Sequence, residues 1–316
     1  MTICKAAGLS VLCLLLGTAP NATYSADAVT DIKKGGVAPV RPSAYEQIDF
    51  DSIETTGLFS PTPVKIKGYL LKAKTDGKSP GAILAPACSG LLSPDGTQIR
   101  PNYRRMAEHL NSLGITVLLV DGFNPRGFKE ICSIPLKKSR SIDTETRLMD
   151  SLGGLVYLRS RSDVTVDTIF MVTWGAAGSF QAMNKELRYL KKTGTGFTAA
   201  VMFYPDCDRV NEQFSPYAPI QMFVGEKDTW NPAASCLALA ERQVPGSAPF
   251  NIKIYPDTHH AFDHPRPPSL YTGAAVGPVI TGGNPDSTAD AYKMTSAFLS
   301  RFIGIPDGSK AKEGAK

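Results

Sequence analysis

The stretch YRRMAEHLNSLGITVLLVDGF, residues 103–123, decides the fold. Tyr103 to Leu113 carries apolar residues at helical spacing, and Gly114 closes it as a glycine closes a helix. Ile115 to Val120 is then six residues with hardly a polar interruption, ending at Asp121-Gly122. A strand with one wet face would alternate; a continuous apolar run of this length belongs to a strand covered on both faces. The same unit recurs on either side. Gly81–Ala87 (GAILAPA) is an apolar run before the first helix. Asp143–Arg161 is helical, with Leu148, Leu152, Leu155, Val156 and Leu158 on its buried face, and it leads into the apolar run Asp167–Thr173. A helix can start at Ala177. Phe197–Tyr204, Ile220–Val224 and Phe250–Tyr255 continue the runs, with helical patterns at Asn231–Arg242 and Ser287–Phe302. Val64–Lys74 alternates instead, as an antiparallel strand does. The reading is one α/β domain, residues 45–304, with a doubly wound, mostly parallel sheet, six parallel strands and helices on both faces.

The ends of the chain read differently. Met1–Lys5 is positive, Ala6–Gly17 (AAGLSVLCLLLG) is apolar, and Ala26-Asp27-Ala28 has the small-x-small pattern of a cleavage site. Residues 1–28 are expected to be a secretory signal peptide. A membrane anchor is the alternative, but about a dozen apolar residues fall short of the roughly 20 a spanning helix needs. Leu12 before Cys13 argues against a lipoprotein. Residues 29–44 read as an extended leader and 305–316 as a disordered tail. The mature chain is expected to be exported, periplasmic or secreted, with no membrane span after cleavage. With 34 Lys and Arg against 29 Asp and Glu, the net charge of +5 and the lack of basic runs exclude a nucleic-acid groove.

Export changes the meaning of the cysteines. Cys88, Cys132, Cys207 and Cys236 remain in an oxidising compartment. Of the three pairings, Cys88–Cys132 and Cys207–Cys236 are favoured, because each joins neighbouring loops at one edge of the sheet. Free buried thiols are the alternative. No C-x-x-C motif points to a zinc or redox site.

In a doubly wound sheet the function sits at the C-terminal ends of the strands. Those ends carry PACSGL (86–91), DGFNPRGF (121–128), TWGAAGS (173–179), GEKDTWNPA (225–233) and DTHHAFD (257–263). In this order and spacing they resemble the dienelactone hydrolase family of α/β-hydrolases, over roughly Gly68–Ile303. The resemblance implies a carboxylic-ester or lactone hydrolase without a cofactor, acting on a small-molecule ester or carboxylate ligand. It implies a nucleophile elbow after the third core strand, an acid after the fifth and a histidine after the sixth, in α/β-hydrolase order. Asp228 matches the acid and His260 the base.

The elbow departs from the family. Aligning Trp174 and Gly178-Ser179 with the family pattern puts Gly175 at the nucleophile position; sliding by one puts Ala176 there. Neither carries a reactive atom. Thr173 should point away, and Ser179 lies about one turn into the helix. The Ala176 amide at a helix N-terminus, an amide of the Cys88-Ser89 loop and the Arg126 cation could bind a carbonyl or anion. For Arg126 a loop-bracing salt bridge is the alternative. Three outcomes stay open. Hydrolysis is lost and a ligand or partner is bound non-catalytically; Asp228 and His260 activate water directly; or Cys88 is a displaced nucleophile. His259, His260 and His264 with Asp257 and Asp263 also admit a metal reading, which the prolines at 265, 267 and 268 disfavour by cutting the helix short. His109 reads as a packed or surface residue.

Overall fold

The computed structural model describes residues 45–53, 64–135, 142–175, 178–210 and 214–303. The signal-peptide, leader and tail expectations lie outside them.

Eight strands form one sheet: β1 (Glu46–Asp51), β2 (Lys65–Leu71), β3 (Ser79–Ala85), β4 (Thr116–Asp121), β5 (Val164–Trp174), β6 (Ala199–Phe203), β7 (Ile220–Gly225) and β8 (Phe250–Tyr255). Their spatial order is β1-β2-β4-β3-β5-β6-β7-β8. β1 and β2 run antiparallel at one edge, and β3 to β8 are the six parallel strands. The helices are α1 (Pro101–Ser112), α2 (Thr144–Ser160), α3 (Ser179–Met183), α4 (Arg188–Thr193), α5 (Ala233–Glu241) and α6 (Pro285–Ile303).

The continuous apolar runs arise because alternate side chains of one strand enter two different cores. In β4, Leu118 and Val120 join the cluster containing Leu148, Leu152 and Leu155 of α2, while Val117 and Leu119 join the one containing Met106 and Leu110 of α1 and Phe298 and Leu299 of α6. β5 repeats this, with Ile169 and Met171 on the first side and Phe170, Val172 and Trp174 on the second. Both faces are dry, so both must be apolar. α2 starts where Asp143 accepts a hydrogen bond from the Thr146 amide, an N-cap bond at 2.8 Å.

Two elements differ from expectation. The helix after β5 begins at Ser179 and lasts five residues. A small antiparallel hairpin, β9 (Ser269–Tyr271) with β10 (Val279–Thr281), was not foreseen. Its strands are three residues long, too short to show a period. It is tied to the histidine loop through Gly282 N donating to His260 O at 2.9 Å.

The order β4-β3-β5 matters most for function. The chain moves outward from β3 to β4, then returns to lay β5 on the other side of β3. That is a topological switch point, where the loops after the two central strands diverge and leave a crevice. Ala87 and Cys88 follow β3 and Gly175 follows β5, so these are the residues the topology brings to the crevice.

Candidate functional site

Asp228 sits in the turn after β7. Gly225 lets this turn lie against the loop after β8: a Cβ there would stand 2.2 Å from Thr258 O. The Lys227 amide donates to that same carbonyl at 2.9 Å. The contact brings the acid to the histidine. His260 Nδ1 lies 2.8 Å from Asp228 Oδ2, and the other carboxylate oxygen accepts from the Trp230 and Asn231 amides at 2.9 and 2.8 Å. Both side chains are buried. A carboxylate on Nδ1 favours the tautomer with its proton there, leaving Nε2 as the basic nitrogen. The imidazole is held by rings too: Trp230 stacks on it at 4.9 Å between centroids, and Tyr204 stands at 4.5 Å.

Gly175 lies directly after β5 with φ +50, and its amide donates to Phe203 O at 2.9 Å. This is the left-handed backbone that a sharp strand-to-helix turn imposes. A Cβ at this position would stand 3.7 Å from Asn231 Nδ2 and 3.7 Å from Tyr204 O, ordinary contact distances, so space does not demand glycine. Ala176 lies outside the described residues. Thr173 and Ser179 are both buried.

Asp263 braces the turn from below. This fully buried carboxylate accepts from Trp174 Nε1 at 2.6 Å and from the Tyr204 hydroxyl at 2.9 Å, and Arg105 donates to its backbone carbonyl. Burial raises its pKa, which the two hydrogen bonds partly offset. Tyr204 is itself left-handed, φ 39, with its carbonyl held by Asn231 Nδ2 at 2.7 Å. One network therefore ties the ends of β5, β6, β7 and β8 together.

Two adjoining cavities open at these strand ends. A small one of about 80 Å³ is lined by Gly175, His260, Asn231, Asp206, Arg147 and Arg209, among others. A larger one of about 330 Å³ is lined by Ser89, Arg100, Glu130, His264, Arg266 and Tyr271. Cys88, Cys132, Trp230 and His260 border both. Both expected disulfides form, Cys88–Cys132 and Cys207–Cys236, with Cα atoms 4.9 and 5.0 Å apart. The first is part of the cavity wall, and a bridged Cys88 has no thiol with which to attack.

Arg126 takes the loop-bracing alternative. Its guanidinium makes a bidentate pair with Asp150, at 2.8 and 2.9 Å, and donates to Gly122 O at 2.6 Å. Asp150 is a buried carboxylate on α2 and needs a counter-charge. Arg126 therefore braces its loop, and the cations on the cavity walls are Arg100, Arg147, Arg209 and Arg266. His109 is packed inside, with Nε2 2.8 Å from Ser296 Oγ. Among the described residues, no group of three or more His, Cys, Asp or Glu side chains is placed to hold a metal ion. No helix there is long and apolar enough to cross a membrane.

Sequence reasoning missed Tyr204, Asp206, Arg209, Trp230 and Tyr271 at the cavities. Tyr204, Asp206 and Arg209 had a usable signal, since YPDCDR (204–209) is the strand end after Phe197–Tyr204 and was passed over. Tyr271 had none, because it sits on the unforeseen hairpin.

No curated protein matches the chain. Among solved structures, a dienelactone hydrolase-like promiscuous phosphotriesterase from metagenomic libraries shares 15% identity, with a TM-score of 0.58, covering 82% of this chain and 99% of that one. A thermophilic esterase from the planctomycete Thermogutta terrifontis, solved with propionate, shares 13% identity at a TM-score of 0.56, covering 84% and 97%. Est1E from Butyrivibrio proteoclasticus shares 14% at 0.52, covering 81% and 99%. At these identities the likeness is one of fold, the α/β-hydrolase fold. The family model described as the dienelactone hydrolase family matches residues 66–303, and that span takes in the elbow turn, the acid and the histidine. The chain belongs to the dienelactone hydrolase family.

Proposed function

We propose that the mature, exported protein binds a small carboxylic ester or lactone at the crevice and hydrolyses it slowly, with His260 acting as general base on water. The observation that carries this reading is the 2.8 Å contact between His260 and Asp228 beside Gly175, a position without a nucleophilic atom. In the reaction, His260 Nε2 takes a proton from water while the water oxygen attacks the ester carbonyl. The tetrahedral intermediate expels the alkoxide, which takes the proton back from His260. Asp228 stabilises the imidazolium that exists in between. No acyl-enzyme forms. Export is supported by the signal-like N-terminus together with the two disulfides, and a mature N-terminus at Val29 in the secreted or periplasmic fraction is the expected result.

The test is labelling with a fluorophosphonate and a thiol-directed probe, followed by mass spectrometry, alongside hydrolysis of a short-chain aryl ester. The proposal requires no covalent label and a slow turnover that disappears in His260→Ala. A label on any residue beside the elbow overturns it. A second reading, a non-catalytic ligand-binding protein, draws its support from the glycine at 175, and wild-type hydrolysis no faster than buffer would favour it.

A further inference from the structure

Asp206 follows β6 and has no part in the elbow, the acid or the base. It nevertheless lines the small cavity with Gly175, Asn231 and His260, and its side chain is only 17% exposed. The segment carrying it is fastened at both ends. The Tyr204 amide donates to Phe223 O at 2.7 Å, and Cys207 is bridged to Cys236 on α5. The carboxylate pairs with Arg209 Nε at 2.7 Å. Burial raises its pKa, against the lowering by the Arg209 charge, with smaller effects from Asp208, which raises it, and His260, which lowers it.

The wall beside this pair is glycine. In an elbow with serine, the attacking oxygen would hang from a Cβ at position 175, and here that Cβ would have room. We infer that Asp206 is a further catalytic residue: with His260 it holds the attacking water in the space a side chain at 175 would fill. The water donates one O–H to an Asp206 carboxylate oxygen and the other to His260 Nε2. The O–H bond toward His260 breaks and its proton moves to Nε2. The oxygen forms the new bond to the acyl carbon, the acyl C–O bond breaks, and the departing alkoxide takes the proton from Nε2. Asp206 remains a carboxylate throughout. Its contribution is to fix the water so that a lone pair faces the carbonyl. This rests on the reading of His260 as a base acting on water.

Two experiments separate the failure of one idea from failure of the other. High-resolution crystal structures of the full mature chain and of Asp206→Ala should show a water bridging residue 206 and His260 in the first and not in the second. Hydrolysis of p-nitrophenyl acetate should fall about 10- to 100-fold in the isosteric Asp206→Asn. It should stay within about twofold in Asp208→Asn, which removes the same charge from an exposed neighbour. A water that touches His260 without touching Asp206, or turnover equal to wild type in Asp206→Asn, overturns the assignment. Turnover that survives His260→Ala overturns the general-base reading and the assignment with it, whereas either of the preceding outcomes with turnover still dependent on His260 overturns the assignment alone.

Discussion

The end of β5 and the paired ends of β7 and β8 belong to one site but are built differently. At β7 and β8 the side chains do the holding. One oxygen of Asp228 ties down two amides of its own turn and the other holds His260. At β5 the backbone and distant groups do it: Gly175 N bonds to Phe203 O, and Trp174 is fixed through Asp263. A turn held in this way survives whatever side chain sits at its apex. The turn needs no reactive atom to hold its shape, and Gly175 carries none. The comparison also lowers the weight that Asp228 carries as a sign of catalysis. Its loop needs the carboxylate for the Trp230 and Asn231 amides even if no proton ever moves. His260 has no such second task and is the sharper indicator.

The comparison can be broken most forcefully at the histidine. His260→Ala should reduce ester hydrolysis by about a thousandfold while costing less stability than the loss of Asp228. Asp228→Ala should lose both activity and stability, the latter by about 2 kcal/mol, because one buried and one half-buried amide lose their acceptor. If the two variants are equally stable, the double role of Asp228 is wrong. Replacing Cys207 and Cys236 together by alanine should cost about 3.6 kcal/mol in urea unfolding, from the loop-closure entropy of a 29-residue separation. It should also lower hydrolysis, because the Asp206 segment is released; unchanged turnover would detach that segment from the site.

The β5 side is probed by Gly175→Ser. The left-handed backbone should cost about 1 kcal/mol, and hydrolysis should rise about a hundredfold with new fluorophosphonate labelling at residue 175. A variant that folds but neither labels nor gains activity would mean that the dyad is out of register with the turn. The smallest effect lies outside both regions. Burial lowers the pKa of His109 to about 4 from 6.5. The unfolded chain therefore binds the extra proton first as pH falls, so stability is full above pH 6.5 and declines toward pH 4. Between pH 7 and pH 5 the loss should be about 2 kcal/mol. His109→Gln should flatten that part of the urea-midpoint profile, and an unchanged slope would assign it to another group.

Much of this was legible in the residues. ITVLLV at 115–120 announced a strand buried on both faces, because the two cores that receive its alternate side chains are both apolar. The disulfide pairs followed from which loops share a sheet edge. Asp228 and His260 stood out through motif order and spacing. The partner of Arg126 did not, since Asp150 is 24 positions away on a helix and nothing local marks the pair. The hairpin at 269–281 escaped because three-residue strands have no readable period. Asp206 was visible as a strand-end residue, yet its neighbours were not.

The sequence by itself determined most of the elements and the class of sheet, and it singled out Asp228, His260 and Gly175 as candidates, because each is written in local periodicity or in the chemistry of a single position. Only the tertiary structure decided which strand ends meet. The order β4-β3-β5 sets Cys88 across from Gly175, and the closeness of Gly225 to Thr258 sets Asp228 against His260. Such distances depend on packing between elements far apart in the chain, where a linear pattern carries no record of who lies beside whom.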